Sequence, residues 1–153
     1  MSDFAAFSYF LALGGFVLFI FTILGLILYF LQAYGLYKMA ENRGLENSWL
    51  AFIPVANLYI MGQLTGPFNL AGMELRQPEL ILPILTIVSI GLSGVPVLGA
   101  IANVLVIVLG IVALYYLFLR YIPSSAILYT ILSVVFPPLG AIFIFRLRNN
   151  PIV

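Results

Sequence analysis

The chain of 153 residues contains no cysteine and no histidine, and its single aspartate is Asp3. These absences exclude thiolate and imidazole nucleophiles, Cys/His zinc sites, axial histidine ligation of haem and any disulfide framework. They also remove the one side chain that titrates unperturbed near neutral pH. Charge of either sign is scarce: six Lys/Arg and five Asp/Glu make up 7% of the residues, against about 25% in soluble domains. A net charge of +1 gives no basic field for nucleic acid. No glycine-rich phosphate loop of Walker or Rossmann spacing is present, so neither a nucleotide cofactor nor any other is expected. An intramembrane hydrolase would need a Ser–His pair, a His-Glu-x-x-His run or paired aspartates within helices. The sequence offers none of these.

What is abundant is apolar surface, with 64% of residues hydrophobic. Eleven charges cannot cover the outside of a water-soluble domain of this size. The lipid bilayer is therefore the expected solvent, and the expected fold is an all-α, polytopic membrane protein forming one domain. Before the first apolar run stand Ser2 and Asp3 but no basic residue, and the uncharged stretch extends from Phe4 to Tyr37. A cleaved signal has a positive leader and a short apolar core, so the stretch reads as a retained helix.

A crossing of the hydrocarbon core takes about 20 apolar residues. The charges fall in islands that delimit five membrane segments, at about 7–37, 49–64, 80–93, 97–119 and 125–145. The first continues into water through Lys38 and Glu41, one turn apart, and Gly44 is placed to end it as the C′ residue. The second carries Pro54, which should kink or break it near residues 51–53, with Asn57 one turn later to partner a freed carbonyl. The forty uncharged residues Leu80–Leu119 suit two helices broken at Ser93-Gly94-Val95-Pro96, with Pro83 in the first turn of the earlier one. Pro137-Pro138 interrupts the last segment. Both proline-broken segments, 49–64 and 125–145, are either kinked spans or re-entrant hairpins. Their similar proline spacing after Lys38 and Arg120 hints at an internal repeat, although chance likeness between apolar helices explains it as well.

Basic residues in short loops favour the cytoplasm. Five full spans with the N-terminus outside put Lys38, Arg43, Arg146 and Arg148 inside and Arg76 and Arg120 outside. If the second segment alone is re-entrant, Arg146 and Arg148 are the pair outside. If both broken segments are re-entrant, all six are inside and three helices span. The hydrophobic length of the last segment favours five spans, with the C-terminus cytoplasmic.

The tract Tyr34-Gly35-Leu36-Tyr37-Lys38-Met39-Ala40 through Gly44, followed by Ser48-Trp49-Leu50-Ala51-Phe52-Ile53-Pro54-Val55-Ala56-Asn57-Leu58-Tyr59, resembles a family of small bacterial integral-membrane proteins, frequent in Gram-positive genomes. These carry Trp…Ile-Pro-x-x-Asn-x-Tyr after a first helix. The closing tract Tyr129–Pro137 and Arg146-x-Arg148-Asn149-Asn150 is similar to the ends of such proteins. The resemblance covers about a third of the chain. It implies a bacterial cytoplasmic membrane and no activity.

Candidate positions follow from polarity at membrane depth. Asn57 and Asn103, together with the helix breaks at Pro54, Pro137 and Pro138, either knit helices together or line a path for a small solute. Thr22, Thr86, Ser89, Thr130 and Ser133 are milder cases. Gly62-x-x-x-Gly66 suits a close helix contact. Glu74, Arg76 and Glu79 form a solvated loop with an i,i+3 ion pair. Lys38, Arg43, Arg146 and Arg148 fix topology and meet lipid headgroups. The function expected is non-catalytic: association with other membrane subunits or with itself, as an accessory or assembly partner. The alternative is a small oligomeric transporter or channel built around the proline-broken helices.

Overall fold

A computed structural model describes residues 2–70 and 72–152, the first five by backbone alone, so the Asp3 side chain lies outside the described residues. The chain is 79% helical. α1 runs Ser2–Asn42, a 3-10 turn Ser48–Phe52, and α2 Ala56–Thr65. A two-stranded hairpin pairs β1 (Phe68–Leu70) with β2 (Met73–Leu75), Phe68 opposite Leu75. Then come α3 (Pro78–Gly91), α4 (Pro96–Tyr121), a second 3-10 turn at Pro123–Ser125, α5 (Ala126–Val135) and α6 (Pro137–Leu147). Two helices, α1 and α4, are long and apolar enough to cross a membrane. At 1.5 Å per residue they measure about 61 and 39 Å.

The proline breaks decide the architecture. Pro54 leaves the 3-10 turn on one side and α2 on the other, and the chain reverses between them. The first arm descends along α1, with the Phe52 ring 5.5 Å from that of Tyr37. The second arm climbs back until the Gln63 and Leu64 carbonyls meet Arg43, at the end of α1. The final segment reverses in the same way at Phe136-Pro137. The Tyr129 and Phe143 rings stack at 4.2 Å, and a Cβ on Gly140 would lie 3.2 Å from that of Ser133. In a straight helix residues 133 and 140 would be about 10 Å apart along the axis. Neither 49–64 nor 125–145 is thus a continuous crossing, and the expectation of five spans is not met by helix length. Each segment folds back because proline removes a donor and blocks the preceding turn.

Between the hairpins, α3 and α4 pack antiparallel across the turn at residues 92–95, as the Ser93–Pro96 signal indicated. Pro78 takes the helix start that had been given to Pro83, which therefore lies inside α3. Gly62 lets α2 dock on the start of α3, since a Cβ there would overlap the backbone of Glu79. Most of the buried core, including Leu36, Met39, Ile60, Leu64, Leu117, Phe118 and Ile144, lies between the upper half of α1, the two hairpins and the upper half of α4, with Leu82 of α3 and Phe68 of β1 joining it. Below it, residues 7–27 of α1 are exposed.

The folded-back geometry of α5 and α6 is directly testable in this cysteine-free chain. Ser133→Cys combined with Gly140→Cys should form an intramolecular disulfide on mild oxidation, since the 3.2 Å between the two Cβ positions needs only a few tenths of an ångström of adjustment to reach the usual separation of about 3.5–4.5 Å. A mass loss of two hydrogens per chain reads it. Reduced thiols persisting under oxidant would mean that the segment is straight.

Candidate functional site

All six basic residues gather at one end of the bundle. α1 ends in a Schellman motif: Gly44, with φ +66°, donates to the Glu41 carbonyl at 2.9 Å, and Leu45 donates to that of Ala40 at 3.0 Å. This turns the chain sharply and leaves Arg43 pointing across the bundle, where its Nη1 donates to the carbonyls of Leu64 at 2.7 Å and Gln63 at 3.3 Å. Those are carbonyls of the last turn of α2, to which no following helical N–H donates. Lys38 pairs with Glu41, and the Tyr37 hydroxyl donates to the same carboxylate at 3.1 Å. Arg120, in the last turn of α4, spreads its guanidinium over Gly66, where a Cβ would sit 2.6 Å from Nη2. Gly66 has φ +63° and ψ −175°, a region nearly exclusive to glycine. The Asn42 amide donates to the Arg148 carbonyl at 2.9 Å, and the Arg148 guanidinium lies 3.9 Å above the Phe145 ring. Arg146 faces outward.

The loop carrying Arg76 reaches the same end. Phe68 stacks on Tyr116 at 5.0 Å, and the Tyr116 hydroxyl donates to the Asn69 carbonyl at 3.2 Å. Here the structure corrects one expectation: Arg76 pairs with Glu74 at 3.1 Å, not with Glu79. Arg76 follows directly on β2 and reaches back to Glu74, whereas Glu79 has already entered α3.

A second region lies at the hairpin tips. The Tyr29 hydroxyl donates to the Phe52 carbonyl at 3.0 Å, capping the first tip. One helical turn around it, a cleft of about 300 Å³ lies between Gly25, Tyr29 and Gln32 of α1 and Pro137, Pro138 and Ala141 at the second tip. Both tips therefore rest on the same two turns of α1. Val55, just after Pro54, holds φ +68° and ψ −45°, a strained conformation for a β-branched residue.

The positions singled out by polarity are dispersed. Pro137 and Pro138 line the cleft, whereas Pro54 is exposed on the first tip. Asn57 is half-buried in the first turn of α2, and Asn103 is exposed on the outer face of α4. Neither amide makes a side-chain hydrogen bond among the described residues, and the carbonyl freed near Pro54 is taken by Tyr29 instead of Asn57. Thr22, Thr86, Thr130 and Ser133 donate to carbonyls four residues back in their own helices, so they do not knit helices together. Thr65 does, reaching the Ala113 carbonyl at 3.2 Å. Tyr29, which ties the first tip to α1, has no signal of its own in the sequence, because an isolated tyrosine in an apolar helix looks like part of an aromatic belt.

Removing the Arg43 clamp isolates its contribution. Arg43→Met should destabilise the protein by about 1–3 kcal/mol through the orphaned carbonyls, read as a lower midpoint of thermal unfolding in detergent. Arg43→Lys, which keeps the charge but not the planar fork, should fall between Arg43→Met and the parent.

The chain matches no family model, and no curated protein or solved structure is significantly similar to it.

Proposed function

We propose that this chain is a non-catalytic integral membrane protein that works by association, as an accessory subunit or assembly partner in a bacterial cytoplasmic membrane. The observation that carries this is Asn103. Its amide lies two turns into α4 on an otherwise apolar outer face, exposed and without a hydrogen-bond partner among the described residues. An amide left unpaired in hydrocarbon is unfavourable, and a neighbouring transmembrane helix is the usual source of its partner. Ala100 and Gly110 stand on the same face, small enough for a second backbone to approach. The exposed lower half of α1 offers a further long surface in the same layer.

In this proposal α1 and the α3–α4 hairpin cross the bilayer, the N-terminus is outside, and the two proline-broken segments enter from the cytoplasmic side and return to it. The clustering of all six basic residues at one end supports that threading, because it satisfies the charge asymmetry of membrane proteins without exception. It also keeps Arg43 and Leu64 on one side, which five full crossings would place a bilayer apart. Cysteines introduced singly at Arg76, Arg120 and Arg148 should all label from the same face of sealed vesicles. Labelling of any one from the opposite face would overturn the threading.

Association is tested by cross-linking native membranes and purifying in mild detergent. The parent should run in a species larger than one chain, and Asn103→Leu should reduce that species severalfold. A parent that is monomeric and cross-links to nothing would refute the proposal.

A small oligomeric transporter or channel is the alternative, favoured by the meeting of two broken helical hairpins on α1 beside the cleft that Gln32 lines. Only Pro137 and Pro138 of the five polar or proline positions reach that cleft. Solute or ion flux into protein-containing liposomes, abolished by Gln32→Leu, would install this alternative in place of the first.

A further inference from the structure

We infer that the basic end contains a built site for a phosphoryl group, set between the last turns of α1 and α4 and the chain at residues 150–152. A cavity of about 260 Å³ lies there, lined by Met39, Asn42, Arg43, Tyr121 and Asn150. A water molecule occupies about 30 Å³ in the liquid, so the space admits a tetrahedral anion together with part of the organic group that carries it.

Two independent observations point to an anionic occupant. Tyr121 is 4% exposed; the Arg43 guanidinium beside it can donate to its oxygen, but its own O–H has no acceptor among the described residues. Folded proteins rarely leave a buried hydroxyl unsatisfied. Arg43 is the second. Its Nη1 is fixed by the two α2 carbonyls, which orients the guanidinium, and it has no carboxylate partner among the described residues. Glu41, one turn away, is already taken by Lys38 and Tyr37.

The lining donors are a guanidinium, a phenol and the amides of Asn42 and Asn150, supplied by three separate stretches of chain. The Asn42 Nδ2 already donates to the Arg148 carbonyl, which draws the final residues of the chain over the cavity. Donors converging from several directions suit a tetrahedral oxyanion better than the single edge of a carboxylate, and arginine matches phosphate oxygens in pairs. The phosphoryl group can belong to a lipid headgroup or to a soluble phosphate compound. The chemistry is shared, and the sources separate in the test below.

The test uses the full chain in neutral detergent and follows thermal unfolding. One arm titrates short-chain phosphatidylglycerol into the micelles, with an uncharged diacylglycerol as control. The other titrates inorganic phosphate at constant ionic strength, with chloride as control. A saturable rise in midpoint is expected in at least one arm: with the lipid alone for a headgroup site, with phosphate for a soluble compound. Tyr121→Phe, which removes the unpartnered hydroxyl, should leave the ligand-free protein as stable as the parent or more so, yet weaken the response about tenfold, the equivalent of about 1.4 kcal/mol. Asn150→Ala should weaken it severalfold and does not touch the core. A purely structural tyrosine would give the opposite pattern, lower stability without ligand and an unchanged response. That pattern, or no saturable response in either arm, would overturn the assignment.

Discussion

A helix that stops where water is excluded leaves carbonyls with no donor to accept from, and most of this fold can be traced to how those few groups are satisfied. Pro54 and Pro137 create the stops. The Tyr29 hydroxyl takes the Phe52 carbonyl at one tip, and Arg43 takes the carbonyls of Gln63 and Leu64 at the far end of the returning helix. Both donors come from α1. The long helix thus acts as the post to which the shorter pieces are tied, and its own termination at Gly44 places Arg43 where the second tie is needed. Gly62 and Gly66 complete the arrangement by allowing α2 to press against α3 and lie under Arg120.

Much of this could be read from the residues, because composition and punctuation act locally. The scarcity of charge agrees with two helices long and apolar enough to cross a membrane. Gly44, the Ser93–Pro96 turn and the breaks at Pro54 and Pro137 are where the backbone obeys its own stereochemistry, and each fell close to its expected place. What escaped was the direction taken after each break. A proline says that a helix ends but does not say whether the chain continues or reverses. That outcome rests on Gly140 opposite Ser133 and on the Tyr129–Phe143 stack, pairings between residues far apart in a straight reading. The strands at 68–75 were missed for a related reason: three-residue strands are too short for alternation to register, and only the Gly72 turn, at φ +87°, signals them.

The polar candidates show the same division. Asn57 and Asn103 stand out in the sequence as polar groups in apolar segments, yet the chain does not bring them together, and neither amide makes a side-chain hydrogen bond among the described residues. The side chains that do tie elements together, among them Tyr29, Arg43, Thr65, Asn42 and Tyr116, each donate to a backbone carbonyl of another element. Sequence alone could not select them, since the acceptors are generic and only the tertiary fold places a carbonyl within reach. An association role and a phosphoryl site at the basic end are compatible, because one uses the outer face of α4 and the other the space beside its last turn.

The uneven distribution of mass along α1 has a mechanical corollary. Around its upper half lie two hairpins and the top of α4, while residues 7–27 of its lower half are exposed. Threaded as proposed, the molecule is a wedge, occupying more lateral area in the cytoplasmic leaflet than in the outer one. Such a shape relieves packing stress where that leaflet is stretched, so the protein would concentrate at patches bent convex toward the cell interior and, when crowded, would itself promote that bend.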